Sequence, residues 1–383
     1  MVIYAALKQA CPAAVMAPTT TTKQLPPITT ITFPDGGGWH MSMDSFSLHA
    51  TAPRGNVVLV MGATGTGKSR LSLDLATNFP AEVINSDKMQ VYKGLDVVTN
   101  KITDEERAGV PHHLLAVADP DADFSASEFR RQTTHIVERL HERDRLPIIA
   151  GGSNSYIEAL VDGDNKRFQS RYNCCFLWVD VALPVLNTFV SERVDRMVEA
   201  GLVEEVRGMF RPDGDYSRGI RRAIGVPEMD AYFRAEAWGA DRSTRAGLLQ
   251  AAIDDIKANT RKLAYRQRQK ILRLALSGWD VHRFDATEAF RRRGREAEEA
   301  WERVVAGPSV EIVRSFLYGS GQARDRDLVD VVNHLSGCSG GGSNGSAKCR
   351  CVAVEGAGGP AKATASTAPS AMATTVAVAG ASC

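Results

Sequence analysis

The sequence predicts an α/β fold: a parallel sheet flanked by helices, with a mostly helical second lobe. Three observations lead there. Continuous apolar runs at Val57–Met61, Pro147–Ala150 and Cys174–Val181 read as strands buried on both faces. Helical stretches alternate with these strands, as they do in parallel α/β sheets. The stretch 185–278 is helical almost throughout and makes the second lobe.

The elements follow in order. Val57–Met61 is the first strand, and Arg70–Phe79 then sets Leu71, Leu75 and Ala76 on one helical face. Glu82–Asn85 is the second strand. Ser125-x-x-Glu128 has the form of a capping box and opens a helix over 126–143. Pro147–Ala150 and Cys174–Val181 are the third and fourth strands, with Trp178 inside the core. Pro184 suits the first turn of a helix running towards Met209. A long helix starts at Ser243 and stops near Gly278, and Asp280–Phe284 supplies the fifth strand.

The chain has 383 residues, 44% apolar and 24% charged, with a formal net charge of +1. That balance excludes a broadly basic nucleic-acid binder and an acidic solvating chain. No apolar run approaches the ~18 residues of a membrane span. The seven cysteines, Cys11, Cys174, Cys175, Cys338, Cys349, Cys351 and Cys383, show no zinc-site spacing with His and no disulfide framework.

Both ends differ from the middle. Ala17–Pro34 is rich in Thr and Pro, and before Asp35 the only charged side chains are Lys8 and Lys23. With little to bury, 1–54 reads as a disordered extension. A hydroxylated, acid-poor start is one mark of a transit peptide, here to a plastid, although no Arg precedes Arg54. A plain cytoplasmic extension, or a start at Met41 or Met43, is the alternative. Residues 336–383 are rich in Gly, Ser, Ala and Thr and read as a flexible tail, with Cys349 and Cys351 as free thiols. The folded part thus divides into a core at 55–184, a helical lobe at 185–278, and a last strand and helix at 279–310.

Gly62, Ala63, Thr64, Gly65, Thr66, Gly67, Lys68 and Ser69 match G-x-x-x-x-G-K-[ST] between an apolar strand and a helix. The glycines let successive N–H groups converge on one anion, and the helix start adds a positive dipole end. Lys68 is placed to reach a terminal phosphate and Ser69 a Mg²⁺ ion. The sheet is therefore P-loop NTPase-like. The loop calls for a diphosphate or triphosphate, and a kinase, an NTPase and a diphosphate-releasing transferase all satisfy it. The second strand ends in Asn85-Ser86-Asp87. Ligands of such sheets bind at strand carboxyl ends, so Asp87 faces whatever the loop holds, as proton acceptor or metal partner, or else caps the next turn. Ser153 follows Gly151-Gly152 at another strand end, able to bond phosphate or Asp87, or to cap a helix. On the long helix Lys262, Arg266, Lys270 and Arg273 share a face, with Arg261 beside them. A solvated basic face is the plain reading of that stripe.

The segments GATGTGKS (62–69), INSDKMQVYKGLDVVTNK (84–101), GVPHHLL (109–115), FSASEFR (124–130) and AGGSNSYIEAL (150–160) come in that order. RYNCCFLWVD (171–180), RVDRMVEAGLVEEV (193–206), IRRAIGVPE (220–228) and NTRKLAYRQRQKI (259–271) continue it. Together they resemble the dimethylallyl (isopentenyl) transferases that prenylate N6 of adenine, over about 55–305. GGSNSYIEAL and the lack of a Cys/His finger resemble the plant nucleotide branch rather than the tRNA branch. The resemblance implies transfer from dimethylallyl diphosphate to ADP or ATP, the first step of cytokinin synthesis, with Mg²⁺ as cofactor and neither nucleic acid nor membrane as partner. It implies that Asp87 takes the N6 proton, that the phosphate loop grips the donor's diphosphate, and that Arg222 contacts that diphosphate. It also raises Arg261, Lys262 and Arg266 as phosphate partners. His112 and His113, in the family's HHL segment, are expected to be structural.

Overall fold

Val57–Met61 carry only branched or unbranched apolar side chains, and all five are fully buried at the centre of the sheet. The computed structural model describes residues 55–319. The expected extension at 1–54, the tail at 336–383 and the Cys349–Cys351 pair lie outside them.

In chain order the described elements are β1 (Gly55–Gly62), α1 (Lys68–Asn78), β2 (Ala81–Asn85), α2 (Asp104–Arg107), β3 (His112–His113) and α3 (Ala126–His141). Then come β4 (Leu146–Ala150), α4 (Asn154–Val161), α5 (Gly163–Arg171), β5 (Tyr172–Asp180), α6 (Leu183–Glu199) and α7 (Leu202–Arg207). The chain continues through α8 (Asp230–Ala237), α9 (Arg242–Leu276), β6 (Val281–Asp285), α10 (Thr287–Arg291) and α11 (Gly294–Trp301). A π turn (Glu302–Ala306) leads into α12, residues 307–319. Among the described residues no helix is long and apolar enough to cross a membrane.

The six strands form one parallel sheet in the order β3-β2-β4-β1-β5-β6. β1 is paired along its whole length with β5, from Gly55 opposite Tyr172 to Gly62 opposite Val179. Its alternate residues feed two cores. Val57, Leu59 and Met61 pack towards Phe129, Ile157 and Leu160; Val58 and Val60 pack towards Leu71, Leu186 and Trp301. The parallel α/β expectation holds, and helices α6 to α9 fall where the helical lobe was expected.

Three local expectations change. β3 was not expected, because two residues are too short to show a periodicity; Val83 and Ile84 simply find His112 and His113 alongside. At Ser125 only half of the capping box forms. Its hydroxyl accepts from the Glu128 N–H at 3.1 Å, but the Glu128 carboxylate turns to Arg131 and Gln132 instead of reaching back. Thr103 and Glu106 make the complete, reciprocal box at α2. The last helix runs to 319, past the expected end at 310.

Candidate active site

The phosphate loop joins β1 to α1, and its glycines are there for backbone reasons. Gly65 and Gly67 sit at φ +83° and +94°, the left-handed region that side chains avoid. At Gly62 an added Cβ would meet the Val179 carbonyl oxygen at 2.7 Å. Inside the loop the Lys68 ammonium donates to the Ala63 carbonyl at 2.6 Å, and the Thr66 hydroxyl donates to the same oxygen at 3.0 Å. Ser69 lies in the first turn of α1 on the cavity wall. Burial lowers the Lys68 pKa to about 8; the Asp87 charge opposes that and the Arg193 charge adds to it.

From outside, the loop is buttressed by the end of α11. The Trp301 ring lies so close that a Cβ on Gly67 would come within 2.6 Å of it. Trp301 Nε1 donates to Asp74 at 2.8 Å, and the Arg70 guanidinium stacks 4.5 Å above the indole.

Asp87 stands just past β2. Asn85 accepts from the Asp87 N–H at 3.0 Å and donates to the Leu114 carbonyl at 2.9 Å, so the strand end is fixed to the β3 side. Oδ1 of Asp87 accepts from the Met89 N–H at 2.9 Å. Oδ2 accepts no hydrogen bond among the described residues and faces Gly152. Gly151 allows this approach of strands, since a Cβ there would lie 2.6 Å from the Asp87 backbone nitrogen.

Loop and carboxylate share one cavity of about 960 Å³. Met89, Val98, Ile102 and Leu115 give it an apolar wall on the β2–β3 side, and Val194, Met197, Ile224 and Ile256 one on the helical side. Into it also reach Lys88, Arg193, Arg222 and Gln267. Lys88 sits with its ammonium 5.0 Å from the Tyr156 ring centre, its pKa lowered by burial and then by Arg222 and Lys270. Arg222 donates to the Tyr92 hydroxyl at 3.2 Å, whereas its neighbour Arg221 is buried and committed to Asp121 and the Met209 carbonyl.

The expected residues thus separate into two groups. Gly62 to Ser69, Asp87, Ser153 and Arg222 come together. Ser153 neither caps α4 nor bonds the Asp87 carboxylate: its hydroxyl accepts from the Lys88 N–H at 2.9 Å, bracing the turn that carries Asp87. The α9 stripe stays apart. Arg261 reaches Ser191 at 3.0 Å, and Lys262 and Arg266 are exposed and outside the cavity lining. Lys270 and Arg273 pair with Glu158. The face of α9 that does line the cavity carries Thr260, Leu263 and Gln267, about a quarter turn away at ~100° per residue. Gln267 accepts from the Thr64 N–H at 2.7 Å and donates to the Gly152 carbonyl at 2.8 Å, tying the phosphate loop to the β4 end. Gln267 and Arg193 were missed as site residues, because a mixed polar run on a helix does not announce which face is covered; Lys88, in the turn after β2, was missed because no pattern marks a lone turn lysine. His113 is structural as expected, bonded through Nε2 to buried Glu82 at 2.7 Å; His112 bonds the Val110 carbonyl at 2.8 Å.

The model of the IPP transferase family matches residues 90–170 and 163–271. Adenylate isopentenyltransferase 5, chloroplastic, of Arabidopsis thaliana is 62% identical over 264 residues, 68% of this chain and 80% of the relative. The chain belongs to the isopentenyl transferase family, among the adenylate isopentenyltransferases. It is a prenyltransferase. Within the family, adenylate isopentenyltransferase 7, mitochondrial, of the same plant is 53% identical over 298 residues, 77% of this chain and 89% of the relative. Among solved structures, the tRNA isopentenylpyrophosphate transferase of Bacillus halodurans superposes with a TM-score of 0.54 at 27% identity, over 68% of this chain and 97% of that one.

Proposed function

We propose that the chain transfers the dimethylallyl group of dimethylallyl diphosphate to N6 of the adenine of ADP or ATP, releasing diphosphate, as the first step of cytokinin synthesis. One observation carries this reading: a phosphate loop and a carboxylate with a free oxygen face each other across an apolar-walled cavity. As N6 bonds to C1 of the donor, the C1–O bond breaks and its electron pair leaves with diphosphate. The N6 proton passes to Oδ2 of Asp87, which the Met89 N–H orients through Oδ1. Loop N–H groups, Lys68 and Arg222 bind the departing diphosphate. The apolar walls keep water from the allylic carbon.

Mg²⁺ fits this site through hard oxygen donors, the Ser69 hydroxyl and the diphosphate itself. Ser69 would hold the ion together with oxygens of the diphosphate; among the described residues no group of three or more His, Cys, Asp or Glu is gathered for a metal ion. Bound there, the ion neutralises charge on the leaving group.

A chloroplast is the proposed location, supported by a relative named chloroplastic; another is named mitochondrial, so an organelle is the shared part. A fluorescent fusion of residues 1–54 tests it, with diffuse cytosolic signal as the contrary result. The function is tested by incubating the full chain with dimethylallyl diphosphate, Mg²⁺ and AMP, ADP, ATP or unmodified tRNA, reading products by mass. ADP and ATP should be prenylated ahead of AMP. A second reading, with tRNA as acceptor, is favoured by the Bacillus halodurans structure. Efficient tRNA prenylation with free nucleotides ignored would replace the first reading by the second.

A further inference from the structure

We propose that Glu205 is a positioning residue for the reaction: from outside the cavity it holds the wall against which the acceptor's adenine is presented to Asp87. The inference deepens the prenyl-transfer reading and rests on it for the identity of the acceptor. Along the strand ends the order is the phosphate loop after β1, Gly151 to Ser153 after β4, and Asp87 after β2. A donor on the phosphate loop therefore lies to one side of Asp87, and the acceptor comes from the other, towards β3. That side is closed by residues 94–101, which bring Val98, Thr99 and Asn100 to the cavity.

This segment is folded against its preferences. Leu95 and Asn100 have φ of +52° and +51°, the left-handed region, which a leucine rarely adopts. The Thr99 N–H closes one turn onto the Leu95 carbonyl at 3.0 Å, and the turn itself offers nothing to the N–H groups of Val97 and Val98. Glu205 of α7 takes both. One carboxylate oxygen accepts from Val97 at 3.0 Å and the other from Val98 at 2.8 Å. The Gln90 amide holds the far end, donating to the Thr99 and Asn100 carbonyls at 3.1 and 3.0 Å. Glu205 is half-buried and no cation among the described residues pairs with it, so both its oxygens are committed to this one loop. Val98 packs on Gly225, where an added Cβ would lie 3.2 Å from the valine, next to Arg222 and Ile224 of the opposite wall. Backbone strain persists only where its surroundings over-determine it, and it gathers at ligand clamps. Here the carboxylate supplies that constraint from 107 residues away. Without the clamp Val98 leaves Gly225 and the acceptor side widens, whereas the phosphate loop and Asp87 keep their own bonds.

The test compares full-length wild type, Glu205→Gln, Glu205→Ala and, as a control on the same helix, Glu204→Gln. Amide hydrogen exchange over 94–101 is read by mass, KM and kcat with ADP at saturating dimethylallyl diphosphate, and binding of inorganic diphosphate with Mg²⁺ by calorimetry. Glu205→Gln keeps shape but accepts from only one of the two N–H groups. Exchange over 94–101 should quicken, and KM for ADP should rise about tenfold, the worth of one hydrogen bond to a charged group. Glu205→Ala, which loses both bonds, should raise KM further. In both, kcat and diphosphate affinity should stay within about twofold of wild type, and Glu204→Gln should match wild type throughout. A KM within about twofold of wild type in both Glu205 variants overturns the proposal. So does a parallel loss of diphosphate affinity, which assigns Glu205 to holding the fold as a whole. If wild type prenylates neither ADP nor ATP, the functional reading fails separately. Unchanged exchange in Glu205→Gln then overturns the clamp, and quickened exchange with diphosphate affinity kept leaves it standing.

Discussion

Neighbouring strands of one sheet end in two clusters of charge that are handled in opposite ways. At the end of β5, Asp180 is buried with its carboxylate shared between Arg268 of α9, at 3.0 and 3.2 Å, and Arg283 of β6, at 2.9 Å. Every oxygen there has a partner, and the cluster rivets the long helix to the sheet. At the ends of β1 and β2, cations outnumber the carboxylate, and Lys68 rests on the Ala63 carbonyl and Arg193 on a hydroxyl. Charge that the fold satisfies internally makes a joint; charge that it leaves unsatisfied makes a binding site.

The contrast can be broken at its strongest point first. Asp87→Asn keeps shape and loses proton affinity, so kcat should fall by about 10²–10⁴ while the unfolding temperature and diphosphate binding hold. Near-normal turnover would remove Asp87 from proton transfer. Asp180→Ala should do the reverse. Removing one member of a buried pair costs about 3–5 kcal/mol, which lowers Tm by roughly 6–20 °C in a domain of this size. A Tm within 2 °C of wild type, or about that, would show that the rivet bears no strain.

A pH titration sharpens the same comparison. Lys68, held down to about 8 by burial, is charged at neutral pH and neutral above that value. Diphosphate affinity should therefore fall as pH rises through about 8, by up to tenfold per unit. Between about 8 and the model-peptide value of 10.5 the unfolded chain keeps a proton that the folded chain has lost. Lys68's contribution to stability rises with pH over that window, opposite in sign to its effect on binding. Flat diphosphate affinity from pH 7 to 9.5, or about that range, would exclude Lys68 from the anion site. The smallest effect belongs to the α9 stripe. Lys262 is exposed and its nearest partner is Asn259 at 3.5 Å, so Lys262→Ala should change kcat/KM for ADP by less than about twofold. A loss of tenfold or more would return the stripe to the nucleotide site.

The same division explains what could be read from the residues. The sheet was legible because Val57–Met61 is apolar without interruption, and the phosphate loop because its Gly, Lys and Ser positions carry backbone and charge demands that few other sequences meet. Asp87 was legible from its place just past a strand. Arg261, Lys262 and Arg266 lie outside the cavity lining, and Gln267 inside it went unread, for one reason. A helix of 35 residues with basic side chains on several faces does not say which face meets the sheet; Arg268 on Asp180 decides it, a contact across 88 residues of chain. Arg193 lay within a recognised segment, but that no carboxylate among the described residues pairs with it is visible only in three dimensions.

Trp301 against Gly67 sets an order of events in time. Asp74, which the indole holds, and Trp301 are separated by 227 residues. A ribosome adding roughly 5–20 residues per second exposes the phosphate loop tens of seconds before its outer wall exists. For the first part of that interval β1 also lacks β5, so the nascent loop has neither neighbour nor buttress. The enzyme's first-made functional segment is therefore its last to mature, and the anion site opens for business only when synthesis has passed α11.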